Sequence, residues 1–398
     1  MICKQSDSPS GARLLGGLTA TEFMRDYWQR KPLLVRQAMP EVVPPLDPEE
    51  LAGLALEEEI PSRLVIEHGN TAWEVRHGPF SETDFAALPP THWSLLVNDL
   101  EKFVPRLRFL LEPFRFIADW RIDDLMISYA PPHGSVGPHT DAYDVFLLQL
   151  RGRRCWQIDT RPVDPENRLP NTELALLKKF EPQQEWVVQP GDLLYLPPQI
   201  AHYGVALDDC MTASIGFRAP SQKELLGAWL DDALSHLDPT ARYTDPGIKP
   251  QKNPGEITYE ARKRAIALLR EALAVDDDDL SSWFGRYVTE PRAELGGLYP
   301  DAKTWKKEEL HHLLAQGKTL RRNPAARLAW YAEAEKVHFF GDGEEMCLLP
   351  NHRDLVAYLC NEYEYRGDYL QNSEQEQTDS LLLWLLQRGV IEPEDEND

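Results

Sequence analysis

The sequence predicts a mixed α+β chain built from more than one domain. Between about 113 and 218, short β-like runs are separated by Gly, Pro and Asp, the pattern of a small barrel or sandwich. Past Pro220 the apolar positions recur at helical spacing. From about 304 a pair of β-like segments stands between helices, the order of a winged helix. At 398 residues the chain is too long for one core and suits two or three domains.

In chain order, 18–37 reads as a helix and then a strand. Thr21 is taken as the N-cap, Phe23, Tyr27 and Trp28 as the apolar face, and Pro32 as the stop before Leu33-Leu34-Val35. Residues 40–105, with prolines at 40, 44, 45, 61, 79, 89 and 90, read as short helices and loops. The β-like runs that follow are Leu125–Tyr129, Asp144–Leu150, Arg154–Asp159, Glu185–Val188, Leu193–Leu196 and Thr212–Phe217, with 160–184 an excursion between two of them. Ser221 and Glu224 form a capping box ahead of Leu225, Leu226, Trp229, Leu230 and Leu234. A second helix spans 258–275, and Asp276–Asp279 reads as a solvated helix end or loop rather than a metal loop, because its carboxylates do not alternate with spacers. Beyond 304 the sequence predicts a helix at 307–315, β segments at 326–333 and 336–349 broken at Gly341-Asp342-Gly343, and helices at 352–363 and 375–388. The resulting division is 1–220 with a core at about 113–220, then 221–303, then 304–398.

The net charge of −23 argues against a general nucleic-acid binder, since a phosphate backbone repels an acidic surface, and it permits a basic partner. The same acidity also serves solubility in high salt, and the sequence leaves both uses open. Residues 301–398, which hold the winged-helix-like end, carry 11 Lys and Arg against 20 Asp and Glu, the wrong sign for reading DNA, so this end is expected to be structural or protein-binding. No run of about 18 apolar residues exists, and Met1–Gly17 lacks the apolar stretch of a secretory signal. Cys3, Cys155, Cys210, Cys347 and Cys360 are scattered and contain no C-x-x-C, so they read as reduced thiols, not as a disulfide framework or a structural zinc site. A cytoplasmic protein is the expectation.

The chemistry-bearing residues are His139, Asp141 and His202. Gly137-Pro-His-Thr-Asp141 is an H-x-D pair read as opening a strand, where residues two apart share a face. Pro190-Gly-Asp-Leu-Leu-Tyr-Leu-Pro197 is a turn into a strand that Pro197 ends, and it places His202 at a barrel mouth. Two His and one carboxylate make a facial triad that leaves three positions of an octahedral metal open, the arrangement of non-haem Fe(II). His133 lies out of phase in a Pro/Gly loop and reads as a surface residue. Trp156, Trp186 and Tyr195 read as barrel core, Cys155 and Cys210 as buried thiols, and Asp144 as facing away from the site.

Several segments together resemble the bacterial ribosomal oxygenases, within the JmjC branch of the 2-oxoglutarate/Fe(II) oxygenases. They are Tyr27-Trp28, Lys31-Pro-Leu-Leu34, Gly137-Pro-His-Thr-Asp-x-Tyr-Asp-Val-Phe146, Gly152-Arg-Arg-x-Trp156, Pro190–His202 and Ser214-x-Gly-Phe-Arg-Ala-Pro220. The resemblance implies a double-stranded β-helix (jelly-roll, cupin) catalytic domain, a helical dimerisation region and a winged-helix-like C-terminal domain. It implies Fe(II), 2-oxoglutarate and dioxygen, with hydroxylation of an arginine in the sixteenth large-subunit ribosomal protein and succinate and carbon dioxide as co-products. It also implies a homodimer, while the charge and the lack of a long apolar run lead to the expectation of no direct nucleic acid and no membrane as partners.

By the same resemblance Arg154 binds the distal carboxylate of 2-oxoglutarate and Ser128 contributes a hydroxyl. Arg153 points to the opposite face by alternation. If Ser128 faces the site, so do Met126 and Asp124; if His139 and Asp141 face it, so does Tyr143. With Ser214 these form a slot in which Met126 and Tyr143 flank an aliphatic stem and Asp124 receives a cationic head, a description an arginine side chain fits. The metal triad does not separate this reading from a JmjC demethylase or a hydroxylase of another residue such as histidine; two rivals of another class are a non-catalytic metal-binding cupin, against which the intact triad with Arg154 argues, and an acidic winged-helix regulator with a cupin sensor.

Overall fold

The computed structural model describes residues 13–69, 72–170, 174–300, 303–370 and 375–394. Cys3, most of the segment Met1–Gly17 and the acidic tail from 395 onward lie outside these residues. The chain divides into two compact units: Met1–Ala219 with Arg292–Pro300 and Asn323–Ala325, and Pro220–Pro291 with Asp301–Arg322 and Ala326–Asp398.

The first unit is built on two antiparallel sheets. The larger comprises β1 (Leu33–Val35), β2 (Ser62–Glu67), β3 (Trp73–His77), β4 (Trp93–Val97), β5 (Ile122–Ala130), β6 (Asp144–Arg151), β9 (Leu193–Leu196) and β11 (Cys210–Phe217). Its order is β1-β9-β6-β11-β5-β4-β2-β3. The smaller comprises β7 (Arg154–Asp159), β8 (Gln184–Val188) and β10 (Ala201–Ala206), in the order β10-β7-β8. One face of the large sheet carries the main core, with Phe23, Phe114, Phe146, Tyr195 and Phe217 almost fully buried. The opposite face and the small sheet share a second cluster that includes Val145, Leu147, Trp156, Ile158, Val188, Leu194 and Leu196. Strand alternation is what lets β6 feed both: Phe146 and Leu148 enter one cluster, Val145 and Leu147 the other.

Three sequence expectations need correction. Residues 40–105 hold three strands as well as helices and loops, because their prolines punctuate the strands rather than interrupt them. Pro61 precedes β2, Pro79 follows β3, and Pro89-Pro90 precede β4. The first helix begins earlier than expected: Thr19, not Thr21, accepts from Glu22 N, and Glu22 reaches back to Thr19 N at 2.8 Å. The strand β10 was not expected from the sequence. Gly204 in its interior weakens any strand reading, yet a Cβ there would lie 2.5 Å from the Trp156 ring, so only glycine fits.

The Pro-Gly-Asp turn is held from inside. Asp192, fully buried, accepts Arg36 Nη1 at 2.6 Å, Gln37 N at 2.9 Å and Gln189 N at 3.2 Å, which fastens the segment after β1 to the entry of β9.

In the second unit, Ser221 caps the helix Gln222–His236 through the expected box with Glu224. Thr258 caps Tyr259–Ala272. Asp276 is the N-cap of Asp277–Thr289, and Asp277–Asp279 form its exposed first turn, where carboxylates favour the positive end of the helix dipole. The helix Lys307–Ala315 precedes β12 (Leu320–Arg322), β13 (Leu328–Ala332), β14 (Val337–Gly341) and β15 (Glu344–Leu348). The helices Arg353–Asn361 and Gln375–Gln387 follow, with β16 (Glu364–Tyr365) and β17 (Ile391–Pro393). β13, β14 and β15 make a three-stranded wing, and β12 lies between β16 and β17. No described helix is long and apolar enough to cross a membrane.

Candidate active site

A cavity of about 250 Å³ lies between the two sheets of the first unit. His139, Asp141, His202, Arg154, Ser128, Asp124, Met126, Tyr143 and Ser214 all line it.

His139 and Asp141 do not open a strand, as the sequence reading had it, because β6 begins only at Asp144. They sit on an irregular segment pinned by single bridges from His139 to His202 and Leu176. His202 lies on β10 and is buried. The three side chains converge: His139 Nε2 is 3.7 Å from Asp141 Oδ1 and His202 Nε2 is 3.5 Å from Asp141 Oδ2. Each imidazole is oriented by its other nitrogen, since His139 Nδ1 lies 2.9 Å from Gly137 O and His202 Nδ1 2.9 Å from Ile200 O. A carbonyl only accepts, so each Nδ1 carries the proton and each Nε2 presents a lone pair toward Asp141. Burial, and then the neighbouring His139, push His202 down to about 4, which keeps it a neutral ligand-type imidazole. These residues fit a divalent cation: three ligand atoms within 4.8 Å of one another, on one side of an open cavity.

Arg154 is almost wholly buried, and its guanidinium has no carboxylate within 4 Å among the described residues. Its contacts are Cys210 Sγ at 3.5 Å and the Trp156 ring at 5.6 Å, and its Nε has no hydrogen-bond partner. A buried unpaired guanidinium is costly, so the cavity is built to receive an anion at this end. Ser128, on β5, faces the same space and pairs across the sheet with Thr212. Arg153 is exposed and pairs with Asp208 at 2.8 Å, on the opposite face.

The other end of the cavity is acidic. Asp124, Met126 and Ser128 alternate along β5 toward the cavity, and Met126 stands opposite Ser214 on β11. A Cβ on Gly216 would sit 3.3 Å from Asp124 Oδ1 and 3.8 Å from the Tyr143 ring, so the glycine leaves the gap between them open. Around Asp124, Lys102 pairs with Asp99 and with Glu101 at 2.6 Å, and Arg292 pairs with Asp123 and with Asp99 at 2.9 Å. Asp124 itself accepts from the neutral Asn98 amide at 2.8 Å and forms no ion pair within 4 Å among the described residues, Arg292 acting on it only at longer range. Burial first, then Glu101, Asp99 and Asp123, push its carboxyl up to about 6. An incoming cation would relieve that penalty.

Asp144 faces away: it is buried and accepts from Tyr195 Oη at 2.6 Å and Gln29 Nε2 at 3.0 Å. His133 is exposed. Trp156 is core and cavity wall at once, with its ring centroid 5.9 Å from that of His202. Cys210 is buried against Arg154, while Cys155 is only half-buried, because it faces the outer side of β7. The sequence reading missed Arg63, Leu96 and Asn98, which also line the cavity. They stand on or beside β2 and β4, strands that gave no alternation long enough to read.

Residues 109–225 match the JmjC domain family, and residues 269–392 match the ROXA-like winged helix. The chain is 36% identical over 321 residues to the ribosomal protein uL16 3-hydroxylase of Escherichia coli K12, covering 79% of this chain and 84% of that protein. It is 42% identical over 223 residues to a probable ribosomal oxygenase of Haemophilus influenzae, covering 56% of this chain and 55% of that one. The X-ray structure of E. coli ycfD superposes with a TM-score of 0.81 at 32% identity, covering 95% of this chain and 98% of that one. A structure of YcfD in complex with cobalt and 2-oxoglutarate superposes with a TM-score of 0.77 at 32% identity, over 95% and 99% of the two chains. The chain belongs to the JmjC-domain ribosomal oxygenases with a C-terminal winged helix.

Proposed function

We propose that this protein is a 2-oxoglutarate- and Fe(II)-dependent hydroxylase of an arginine side chain in the large-subunit ribosomal protein uL16. The observation that carries the reading is the joining, in one cavity, of a His-Asp-His cluster, a buried arginine with no carboxylate within 4 Å and a carboxylate, Asp124, with no ion pair of its own. His139, Asp141 and His202 would hold Fe(II). Bound there with 2-oxoglutarate and dioxygen, the metal supplies hydroxylation of an unactivated C–H bond, with succinate and carbon dioxide as co-products.

The chain's own residues do the positioning. Arg154 grips the distal carboxylate of 2-oxoglutarate by charge-assisted hydrogen bonds, and Ser128 adds a hydroxyl. The wall of Val145, Leu147 and Trp156 excludes water from the cosubstrate. Asp124 receives the substrate guanidinium, Met126 and Tyr143 flank its methylenes, and Ser214 borders the same slot. The slot and the cluster share one cavity, so the carbon to be hydroxylated is held beside the metal position, where orientation supplies much of the rate.

The net charge of −23 steers a basic, unassembled ribosomal protein toward the enzyme. The protein acts in the cytoplasm, without membrane or direct nucleic acid. The organisation 1–220, 221–303 and 304–398 assigns dimerisation to the middle stretch. In support, Leu226, Leu234, Ile266, Leu269 and Leu273 expose apolar surface on its helices.

Mass spectrometry of large-subunit ribosomal proteins after incubation with enzyme, Fe(II) and 2-oxoglutarate tests the reading. One added oxygen on an arginine of uL16 is expected. An enzyme that converts 2-oxoglutarate to succinate yet adds no oxygen to any ribosomal protein would overturn it.

A further inference from the structure

We infer that the wing of the second unit carries a zinc site formed by His338, Glu345 and Cys347. These residues lie on β14 and β15, far from any C-x-x-C pattern in sequence, and the strand register brings them together. His338 stands directly opposite Cys347, and Glu345 is two residues from Cys347 on the same face.

The ligand atoms already form a triangle. His338 Nδ1 is 2.5 Å from Glu345 Oε1, Cys347 Sγ is 3.8 Å from His338 Nδ1, and Cys347 Sγ is 3.5 Å from Glu345 Oε1. Zinc bonds of about 2.0–2.3 Å at tetrahedral angles place ligand atoms roughly 3.3–3.8 Å apart. Both edges to sulfur are close to that spacing. The remaining edge is short because it is a direct hydrogen bond between His338 and Glu345, whose proton a metal displaces.

The surroundings support each ligand. His338 Nε2 is buried without a hydrogen bond and lies 3.6 Å from the Glu333 carboxylate. With Nδ1 on the metal, Nε2 carries the proton, and Glu333, 3.6 Å away and just beyond hydrogen-bond range, is the carboxylate nearest to receive it. The second oxygen of Glu345 accepts from Ser282 Oγ, which fixes that carboxylate's direction. Tyr331 stacks on the His338 ring at 4.4 Å, almost parallel, so the imidazole cannot swing away. Cys347 is an exposed free thiol, which leaves the fourth position open to solvent. Nitrogen, sulfur and oxygen donors in this number suit zinc better than magnesium or calcium. Bound there, zinc clips β14 to β15.

Cobalt(II) distinguishes this site from the His139–Asp141–His202 cluster, because only the wing site has a sulfur ligand. Titration of the full-length protein with cobalt(II) is expected to give an intense near-ultraviolet thiolate-to-cobalt absorption that zinc abolishes. The band should vanish in Cys347→Ser and fall at least tenfold in intensity at equal cobalt in His338→Gln. Melting curves like that of the parent would show both variants folded. The inference fails if the parent takes up cobalt without the band. It fails equally if the band survives in Cys347→Ser, or if it is undiminished in His338→Gln, which would mark a lone thiolate adduct.

Discussion

His139 and His202 are locked together through their backbones. His139 N donates to His202 O at 3.0 Å, and His202 N donates to His139 O at 2.9 Å. The spacing of the two imidazoles that face Asp141 is therefore set by main-chain hydrogen bonds that no substitution other than proline removes.

His139→Gln should consequently leave the fold intact while removing a ligand. Its metal-free melting free energy is expected to stay within about 1 kcal/mol of the parent, since a partly exposed side chain changes and no ladder bond is lost. Metal-dependent conversion of 2-oxoglutarate should drop to background. Turnover near the parent rate would show that the cluster is not the metal site.

Arg154→Met separates ligand binding from stability. Losing charge-assisted bonds of about 1.5–3 kcal/mol should raise the KM for 2-oxoglutarate by roughly 10- to 100-fold. The same change removes a buried, unpaired charge, so the ligand-free variant should melt at or above the parent. At equal 2-oxoglutarate, the melting temperature of the metal-loaded parent should then rise by more than that of the variant. An unchanged KM would refute the assignment.

Asp124→Asn should trade activity for stability in a pH-dependent way. The folded-state pKa is raised from the usual carboxylate value to about 6, so the folded protein holds this proton more tightly than the unfolded chain. That contribution is fully present below about pH 4 and is lost as pH rises through about 6. Above that, ionised Asp124 costs up to about 3 kcal/mol, at 1.36 kcal/mol per pKa unit. The variant should therefore gain on the parent between pH 4 and 7 and melt higher at pH 8, while the KM for an arginyl peptide rises at least tenfold. A variant that melts lower at pH 8 would contradict the burial argument.

Gly204→Ala tests the wall behind His202. The new methyl would lie 2.5–2.8 Å from three Trp156 ring atoms, an overpacking that costs about 1–3 kcal/mol. Trp156 must shift, and metal and 2-oxoglutarate affinity should fall with it. Gly227→Ala, on the exposed helix Gln222–His236 with nothing within 4 Å of the new methyl, should stabilise by about 0.5–1 kcal/mol. Equal melting temperatures for the two variants would remove the steric argument.

The cavity was legible in the sequence wherever strand alternation was long. Asp124, Met126 and Ser128 could be placed on one face because β5 runs unbroken from Ile122 to Ala130. Arg63 and Asn98 could not, because β2 and β4 are short and bounded by prolines. The Thr19 cap differed from the expected Thr21 because neighbouring hydroxyls offer equivalent capping chemistry, and only the reciprocal bond to Glu22 selects one.

By itself the sequence determined the classes of element, the residue types of the candidate His-Asp-His triad, and the faces of the long strands, because these rest on local periodicity and donor chemistry. Tertiary structure decided what periodicity cannot encode. It set the reciprocal bridge between His139 and His202, the isolation of Arg154 from any described carboxylate, and the acidic surroundings that raise Asp124. It also brought His338, Glu345 and Cys347 together on the wing. Each depends on distances between distant segments, and those follow from sheet register and burial rather than from neighbours along the chain.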